Sequence, residues 1–406
     1  MDEQIEVPHY FLCPISLQIM KDPVTLPSGI TYDRHSIETW LFSGKNSSCP
    51  VTKLPVSDSD SDLLTPNHTL RRLIQAWCTL NSSHGVERFP TPKPPIHKSQ
   101  ILHIISTSNT SPSSQISSIR RLRSISAESE TNRRCVEFAG APEFLVSVIV
   151  GSDSSASHEA LSTLHNLRLS DSTFKSLATR PEFLESLTDF MKLQQGTHES
   201  SRTYAVLILK SIIEVAEPIQ LSFLKPELFV QIVEILKDRS SSQQIFKAAL
   251  GILIAVSPLG RNRLKAVEAG GVRALVEILL SSPEKRVCEM TLTAMDILCG
   301  CADGRAALLA HGGGMAVVSK KILRVSQLGS ERAVRILYSV AKFSGSPAVL
   351  MEMAQLGIVA KLCLVLQIEN GGKTKEKAKE ILKMHSRLWK NSPCIPSKLA
   401  SSYPTN

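Results

Sequence analysis

Apolar residues recur at helical spacing through most of the chain beyond residue 118. Ala160, Leu161, Leu164 and Leu167 form one ladder; Ala205, Val206, Leu209 and Ile212 form the next. Ala249, Leu250, Leu253 and Val256 repeat it, and Leu292, Met295 and Leu298, then Val334, Leu337 and Val340, continue it. Each ladder places its apolar residues on one helical face, which a single unit could not bury alone. A turn follows each ladder, and the turns align: Ala139-Gly-Ala-Pro142, Thr179-Arg-Pro181, Lys225-Pro226, Ala269-Gly-Gly-Val272, His311-Gly-Gly-Gly314 and Leu356-Gly-Ile-Val359. Their aligned positions lie 39, 45, 46, 42 and 45 residues apart, the period of two- or three-helix repeats. The glycines stand where a left-handed end cap is expected, since glycine carries no Cβ penalty there.

The first eighty residues read differently. Val24-Thr-Leu26 and Ile30-Thr-Tyr32 flank Pro27-Ser28-Gly29 and predict a hairpin. Asp33 is placed to cap a helix over residues 34–42, with Ile37 and Leu41 facing inward. Asn67 or Thr69 starts a second helix, on which Leu70, Leu73, Ile74 and Trp77 share a face. Residues 12–17 and 49–55 remain as two loops with apolar residues beside proline, a pattern suited to docking protein. Between the two regions, Phe89-Pro-Thr-Pro-Lys-Pro-Pro95 and the serine run 106–114 read as linker, with a short amphipathic piece at 96–105. The organisation expected is a module at 5–80, a Pro/Ser-rich linker at 81–118, helical repeats at 119–390 and a flexible tail at 391–406. The fold class is mainly α: a small α+β module followed by an α-solenoid.

Charge adds an asymmetry. Residues 1–80 hold six Lys/Arg and nine Asp/Glu, a net of −3, and the chain as a whole is +9, which leaves +12 beyond residue 80. The basic pairs Arg120-Arg121, Arg133-Arg134 and Lys320-Lys321 are dispersed and aromatics are only 5%, unlike the interleaved platform of a single-strand binder, so no nucleic-acid partner is expected. No apolar run approaches the ~20 residues of a membrane span. The acidic start, Met1 to Glu6, has no signal-peptide pattern, and the cysteines are scattered, which predicts reduced thiols in the cytosol or nucleus. A cytoplasmic location is expected, with a nuclear or peripheral membrane pool open.

Candidate chemistry is sparse. Cys13, His35, Cys49 and His68 have no C-x₂-C or H-x₃₋₅-H spacing, so no metal site is expected. Cys13 and Cys49 read as small packing residues. No phosphate loop, nucleophile elbow or paired-carboxylate signature occurs, and no cofactor is expected.

The order Phe11-Leu-Cys-Pro-Ile-Ser16, Asp22-Pro-Val-Thr25, Ser28-Gly-Ile-Thr-Tyr-Asp-Arg34, Cys49-Pro-Val-Thr-Lys53 and Pro66-Asn-His-Thr-Leu-Arg-Arg72 resembles the U-box, the zinc-free relative of the RING finger. The turn-plus-ladder pattern resembles armadillo repeats. Together they resemble the plant U-box E3 ubiquitin ligases; Thr65 to Trp77 and Phe89 to Pro95 are similar to the subgroup associated with immune and drought-stress signalling. The resemblance implies a partner, a ubiquitin-charged conjugating enzyme (E2), docked on Ile15, Trp40 and Pro50, with Cys13 beside them. It implies that Lys53 is the basic linchpin across E2 and ubiquitin, where arginine is usual, and that there is no covalent ubiquitin intermediate. Asp22, Ser28, Asp33, Arg34 and Asn67 would be the polar scaffold that replaces zinc, and the repeats would recruit a protein substrate. A non-catalytic armadillo adaptor is the alternative. An importer is disfavoured: only Asn166 is Asn at the matching ladder position, with Ser211, Ala255, Ile297 and Ser339 at the others.

Overall fold

The computed structural model describes residues 6–43, 46–56, 63–82, 86, 96–108, 112–151, 155–192, 199–238, 242–282, 284–368, 372–389 and 403–404. They form two compact units, residues 1–168 and 169–406. The Asp58–Asp62 run and the Phe89–Pro95 segment fall outside the described residues.

In the first unit, β1 (Pro23–Thr25) and β2 (Thr31–Asp33) pair antiparallel with Val24 opposite Tyr32. Gly29 turns the hairpin at φ 81°, a region that favours glycine. The short β3 (Thr65–Pro66) completes a sheet of order β2-β1-β3. Next comes α1 (Arg34–Glu38), which widens into a π-helical turn over Thr39–Ser43 where the sequence predicted unbroken helix. The wider turn keeps Ile37 and Leu41 buried, while the Trp40 indole reaches back to donate to Ser48 O at 2.9 Å. α2 (His68–Leu80) is capped by Asn67, whose side chain accepts from Leu70 N. Ile74 and Cys78 face the core, but Leu73, expected on that face, is half exposed. Phe11, Met20, Val24, Leu26 and Tyr32 fill the core between sheet and helices.

The helices start earlier than the composition implies. α3 (Lys98–Thr107) coincides with the short amphipathic piece expected at 96–105, whereas α4 (Pro112–Glu128) is already helical over residues 112–118, where the sequence read as linker. Pro112 opens its helix, where a missing N–H costs nothing, and Ile119 and Leu122 of α4 are fully buried. α5 (Glu130–Phe138), α6 (Ala141–Gly151) and α7 (Ser155–Asn166) complete this unit.

The second unit stacks α8 (Asp171–Ala178), α9 (Pro181–Phe190), α10 (Glu199–Val215), α11 (Pro218–Leu221), α12 (Pro226–Lys237), α13 (Gln243–Val256), α14 (Asn262–Glu268), α15 (Gly271–Ser281) and α16 (Lys285–Leu298). α17 (Ala302–Ala310), α18 (Gly314–Lys321), α19 (Gln327–Ser344), α20 (Pro347–Gln355), α21 (Ile358–Gln367), α22 (Gly372–Met384) and α23 (Ser386–Trp389) follow. α10 packs on α13, α13 on α16, α16 on α19 and α19 on α22. The apolar ladders of these helices are the buried residues of that stack. Gly270 ends its turn at φ 85°, and at Gly271 a Cβ would stand 2.6 Å from Ala266 O, so this double glycine serves both a left-handed turn and a close approach. In the expected flexible tail, Tyr403 is instead buried and donates to Leu382 O at 2.6 Å. Its large ring gains apolar burial that the surrounding polar residues do not signal.

Candidate functional site

Two loops of the first unit share one construction. Cys13-Pro-Ile-Ser-Leu-Gln18 closes with Cys13 N donating to Gln18 O at 2.9 Å and Leu17 N to Cys13 O at 2.8 Å. Cys49-Pro-Val-Thr-Lys-Leu54 closes in the same way, Cys49 N to Leu54 O and Lys53 N to Cys49 O, both at 2.9 Å. The fifth residue of each loop is left-handed although neither is glycine: Leu17 at φ 57° and Lys53 at φ 59°. Such a conformation costs an ordinary residue roughly 1–2 kcal/mol. A backbone bridge closes each stem, Leu12 with Ile19 and Ser48 with Pro55. The repeated Cys-Pro-(Ile/Val)-(Ser/Thr) motif was the sequence signal for this pairing, and it is easily passed over because the two copies lie 36 residues apart.

The first residue of each loop is a sulfur that gathers donors. Cys49 Sγ receives the Ser28 hydroxyl at 3.3 Å and contacts the Tyr32 hydroxyl at 3.1 Å. Burial alone would raise this thiol, but hydrogen bonds from Ser28, Thr52 and Tyr32 outweigh it and bring its pKa down to about 6. Burial raises the Tyr32 hydroxyl, and the neighbouring sulfur adds to the shift. At Cys13 burial again raises the thiol, and backbone donors from Ser16, Asp33 and Ile15 reverse the balance and lower it. Both sulfurs are therefore polar nodes rather than passive fillers. Cys13 is fully buried, which corrects its expected place among E2-contacting residues: its side chain faces the β2 backbone and not solvent. Among the described residues no three His, Cys, Asp or Glu side chains gather as a metal-ligand set.

The five expected scaffold residues each have partners. Arg34 Nε donates to Asp22 Oδ2 at 2.6 Å, and Arg71 Nη1 lies 3.9 Å from the other Asp22 oxygen. Asp33 does not cap α1 with its side chain as the sequence suggested; its Oδ1 accepts from Lys21 N at 2.8 Å and Asp22 N at 3.0 Å, fastening the chain that enters β1. Ser28 serves Cys49 as described, and Asn67 Nδ2 reaches the Thr25 and Thr31 hydroxyls at 3.4 and 3.5 Å.

Trp40 and Lys53 come together: the Lys53 ammonium stands 5.8 Å from the Trp40 ring centroid, within cation–π range. Trp40, Ile15 and Pro50 are half-buried, so each offers part of an apolar side chain to solvent. Leu17, Val51 and Leu54, on the loop tips, are more than half exposed. Sequence reasoning missed Glu38. It is 3% exposed and accepts from Glu130 N at 3.2 Å and from the Thr131 hydroxyl at 2.5 Å, capping α5 from the module's own helix. Burial raises its pKa, against the pull of Thr131 and Arg34. Arg134 of α5 lies 3.9 Å over the Phe42 ring, on the turn that carries Trp40.

Comparison with known proteins gives a consistent answer. A family model described as the U-box domain matches residues 7–83, and one described as the plant U-box protein ARM repeat region matches residues 100–405. The chain is 55% identical to E3 ubiquitin-protein ligase PUB23 of Arabidopsis thaliana, over all of this chain and 98% of that one. It is 50% identical to E3 ubiquitin-protein ligase PUB22 of the same plant, over the full length of both. Among solved structures, one described as "A conserved phosphorylation switch controls the interaction between cadherin and beta-catenin in vitro and in vivo" matches with TM-score 0.62 at 16% identity, over 85% of this chain and 62% of the other. That likeness speaks to the helical-repeat fold alone. With a U-box built on two matched loops, helical repeats behind it and full-length relatives of the same composition, the chain belongs to the plant U-box and armadillo-repeat family of E3 ubiquitin-protein ligases.

Proposed function

We propose that the two loops and the π-helical turn hold a ubiquitin-charged E2, with Ile15, Trp40 and Pro50 as apolar anchors and Lys53 as the cation that spans E2 and ubiquitin. The observation that carries this reading is the Lys53–Trp40 pairing: a cation and the largest apolar anchor stand side by side. The left-handed backbone under Lys53 supports it too, since strain of this kind collects at functional positions. The U-box thiols Cys13, Cys49 and Cys78 are at most 1% exposed, so none is open to take ubiquitin as a thioester. The chemistry then stays on the E2: a substrate lysine amine attacks the thioester carbonyl, an amide forms, and the E2 thiol leaves. The ligase contributes position, turning an encounter of three proteins into one oriented complex. Such an interface is small and transient, and a few anchors carry its energy.

The helical repeats recruit the protein substrate in this reading, and the activity serves plant defence or stress signalling from the cytoplasm. Mixing the protein with activating enzyme, a panel of E2s, ubiquitin and ATP tests the first part. Chains should form, and Trp40→Ala or Ile15→Ala should weaken E2 engagement about 30-fold, the effect of losing a ~2 kcal/mol anchor. Absence of chains with every E2 would leave an adaptor as the better description. A plant lacking the gene should respond abnormally to an immune elicitor or to drying; a normal response to both would remove the physiological assignment.

A further inference from the structure

The second unit carries a cavity of about 220 Å³ between neighbouring repeats, at the ends of α15 and α18 and the start of α16. Its apolar lining includes Leu279, Val317 and Val325, and the side chain of Leu280 is 55% exposed beside it. Lys285, Lys320 and Arg324 line the same cavity. All three are exposed, and among the described residues no acidic side chain lines the cavity with them. From Gly304 to Ser330 the chain contains no Asp or Glu. Nearby carboxylates are committed elsewhere: Glu284 to Lys247 at 2.6 Å and Glu277 to His311 at 3.1 Å. A further cation feels the crowding. Lys361, donating to Ser319 O at 2.8 Å, has its pKa lowered by burial and then by the charges of Arg324 and Lys320.

Lys320 is accounted for in part by its place in the last turn of α18, where a cation suits the helix dipole. Lys285 is not. It occupies the first turn of α16, where the dipole disfavours a positive charge. Leu323, next to Arg324, is held at φ 60°, a second strained non-glycine position outside the U-box loops. Like charges kept together beside an apolar hollow cost energy when the site is empty, and an anionic partner would relieve that cost.

We infer that this cavity docks an acidic segment of a partner protein, an apolar side chain entering the hollow and flanking carboxylates meeting Lys285, Lys320 and Arg324. The inference rests on the reading that the repeats recruit substrate, and it names the chemistry by which they do so. Commitment to a protein segment rather than a membrane follows from the hollow: its size suits one side chain, whereas a lipid surface needs a broad flat face.

Fluorescence anisotropy of the full chain with a labelled Glu-Asp-Leu-Glu-Asp-Phe-Asp peptide tests the inference. The peptide should bind, and Lys320→Glu/Arg324→Glu should weaken binding by about tenfold or more as two attractions become repulsions. Leu280→Ser should weaken it as well, while the equally charge-reversing Lys373→Glu/Lys379→Glu on α22 should change it little. Equal binding by wild type and the Lys320/Arg324 variant overturns the inference. So does equal binding of a peptide with lysine at every acidic position, or co-sedimentation with phosphatidylserine vesicles without peptide binding. Ubiquitin-chain formation should be the same in the Lys320/Arg324 variant and wild type. Loss of chains in both would count against the ligase reading and leave the peptide result standing.

Discussion

The ionised sulfur at Cys49 should make stability of the U-box rise with pH in a way that serine cannot reproduce. An ordinary thiol titrates near 9.0, and hydrogen bonds in the folded state bring Cys49 to about 6 despite burial. A folded-state pKa below the unfolded one gives stability that is complete above the unfolded value and is lost as pH falls through the folded value. The window is therefore pH 9 down to pH 6. Within it the loss approaches 1.4 kcal/mol per pH unit, so lowering pH from 8.5 to 6.5 should remove about 2–3 kcal/mol. Cys49→Ser keeps a small hydrogen-bonding atom for Ser28 and Tyr32 but does not ionise. Urea unfolding followed by the fluorescence of Trp40 and Trp77, on wild type and variant across this range, isolates the effect, because both tryptophans and every titrating group other than Cys49 are common to the two proteins. The gap between the two curves should be widest at pH 8.5 and nearly close at pH 6. Parallel curves would refute the thiolate account and return Cys49 to the role of a packing residue. Since Pro50 and Lys53 ride on the same loop, chain formation should decline with the same pH profile.

Other substitutions separate stability from activity. Lys53→Gly should relieve left-handed strain and leave stability unchanged or up to about 1 kcal/mol higher while chain formation falls; Leu17→Gly, at the matching position of the other loop, should give the relief without loss of the cation. Lys53→Arg should equal or exceed wild type in chain formation, because the planar guanidinium can bond two acceptors at once. Glu38→Ala should lower the unfolding free energy in urea by about 1–3 kcal/mol by orphaning two part-buried donors on α5. Glu38→Gln should cost less and should abolish the slight fall in stability expected as pH rises through the raised pKa of Glu38. Gly271→Ala should destabilise by about 1–3 kcal/mol, its methyl pressed on Ala266 O, whereas Gly251→Ala, with room around it, should be neutral or mildly stabilising in thermal melts.

The sequence disclosed most where one physical rule governs a long stretch. Burial on a helical face repeats every three or four residues, so the ladders at Leu161, Val206, Leu250, Leu292 and Val334 could be read without neighbours, and all are buried. Composition misled where the same residue types serve two purposes. Serines near residue 112 resemble linker, yet proline opens α4 and Ile119 and Leu122 anchor it. What could not be read were polar contacts between distant positions. Glu38 meets Glu130 and Thr131 across 92 and 93 residues, and nothing local distinguishes it from a solvated glutamate in an i, i+4 pair with Arg34. Tyr32 reads as a strand residue, and its hydroxyl finds Cys49 only when the hairpin and second loop come together.

The paired loops show how much function a short motif can carry once its geometry is known. Both copies impose the same closure and the same left-handed fifth residue, so the backbone does not distinguish one from the other. The difference lies in the side chain each displays there: Leu17, 74% exposed, and Lys53 beside Trp40. A shared scaffold with unlike tips separates the requirement to fold from the requirement to dock. Of the positions common to the loops, the cysteine and the hydroxyl residue answer to closure of the loop, while the proline serves closure in both and, at Pro50, docking as well. Those that differ answer to the partner, and on this argument an exchange of Leu17 and Lys53 should leave the U-box folded and the E2 misplaced.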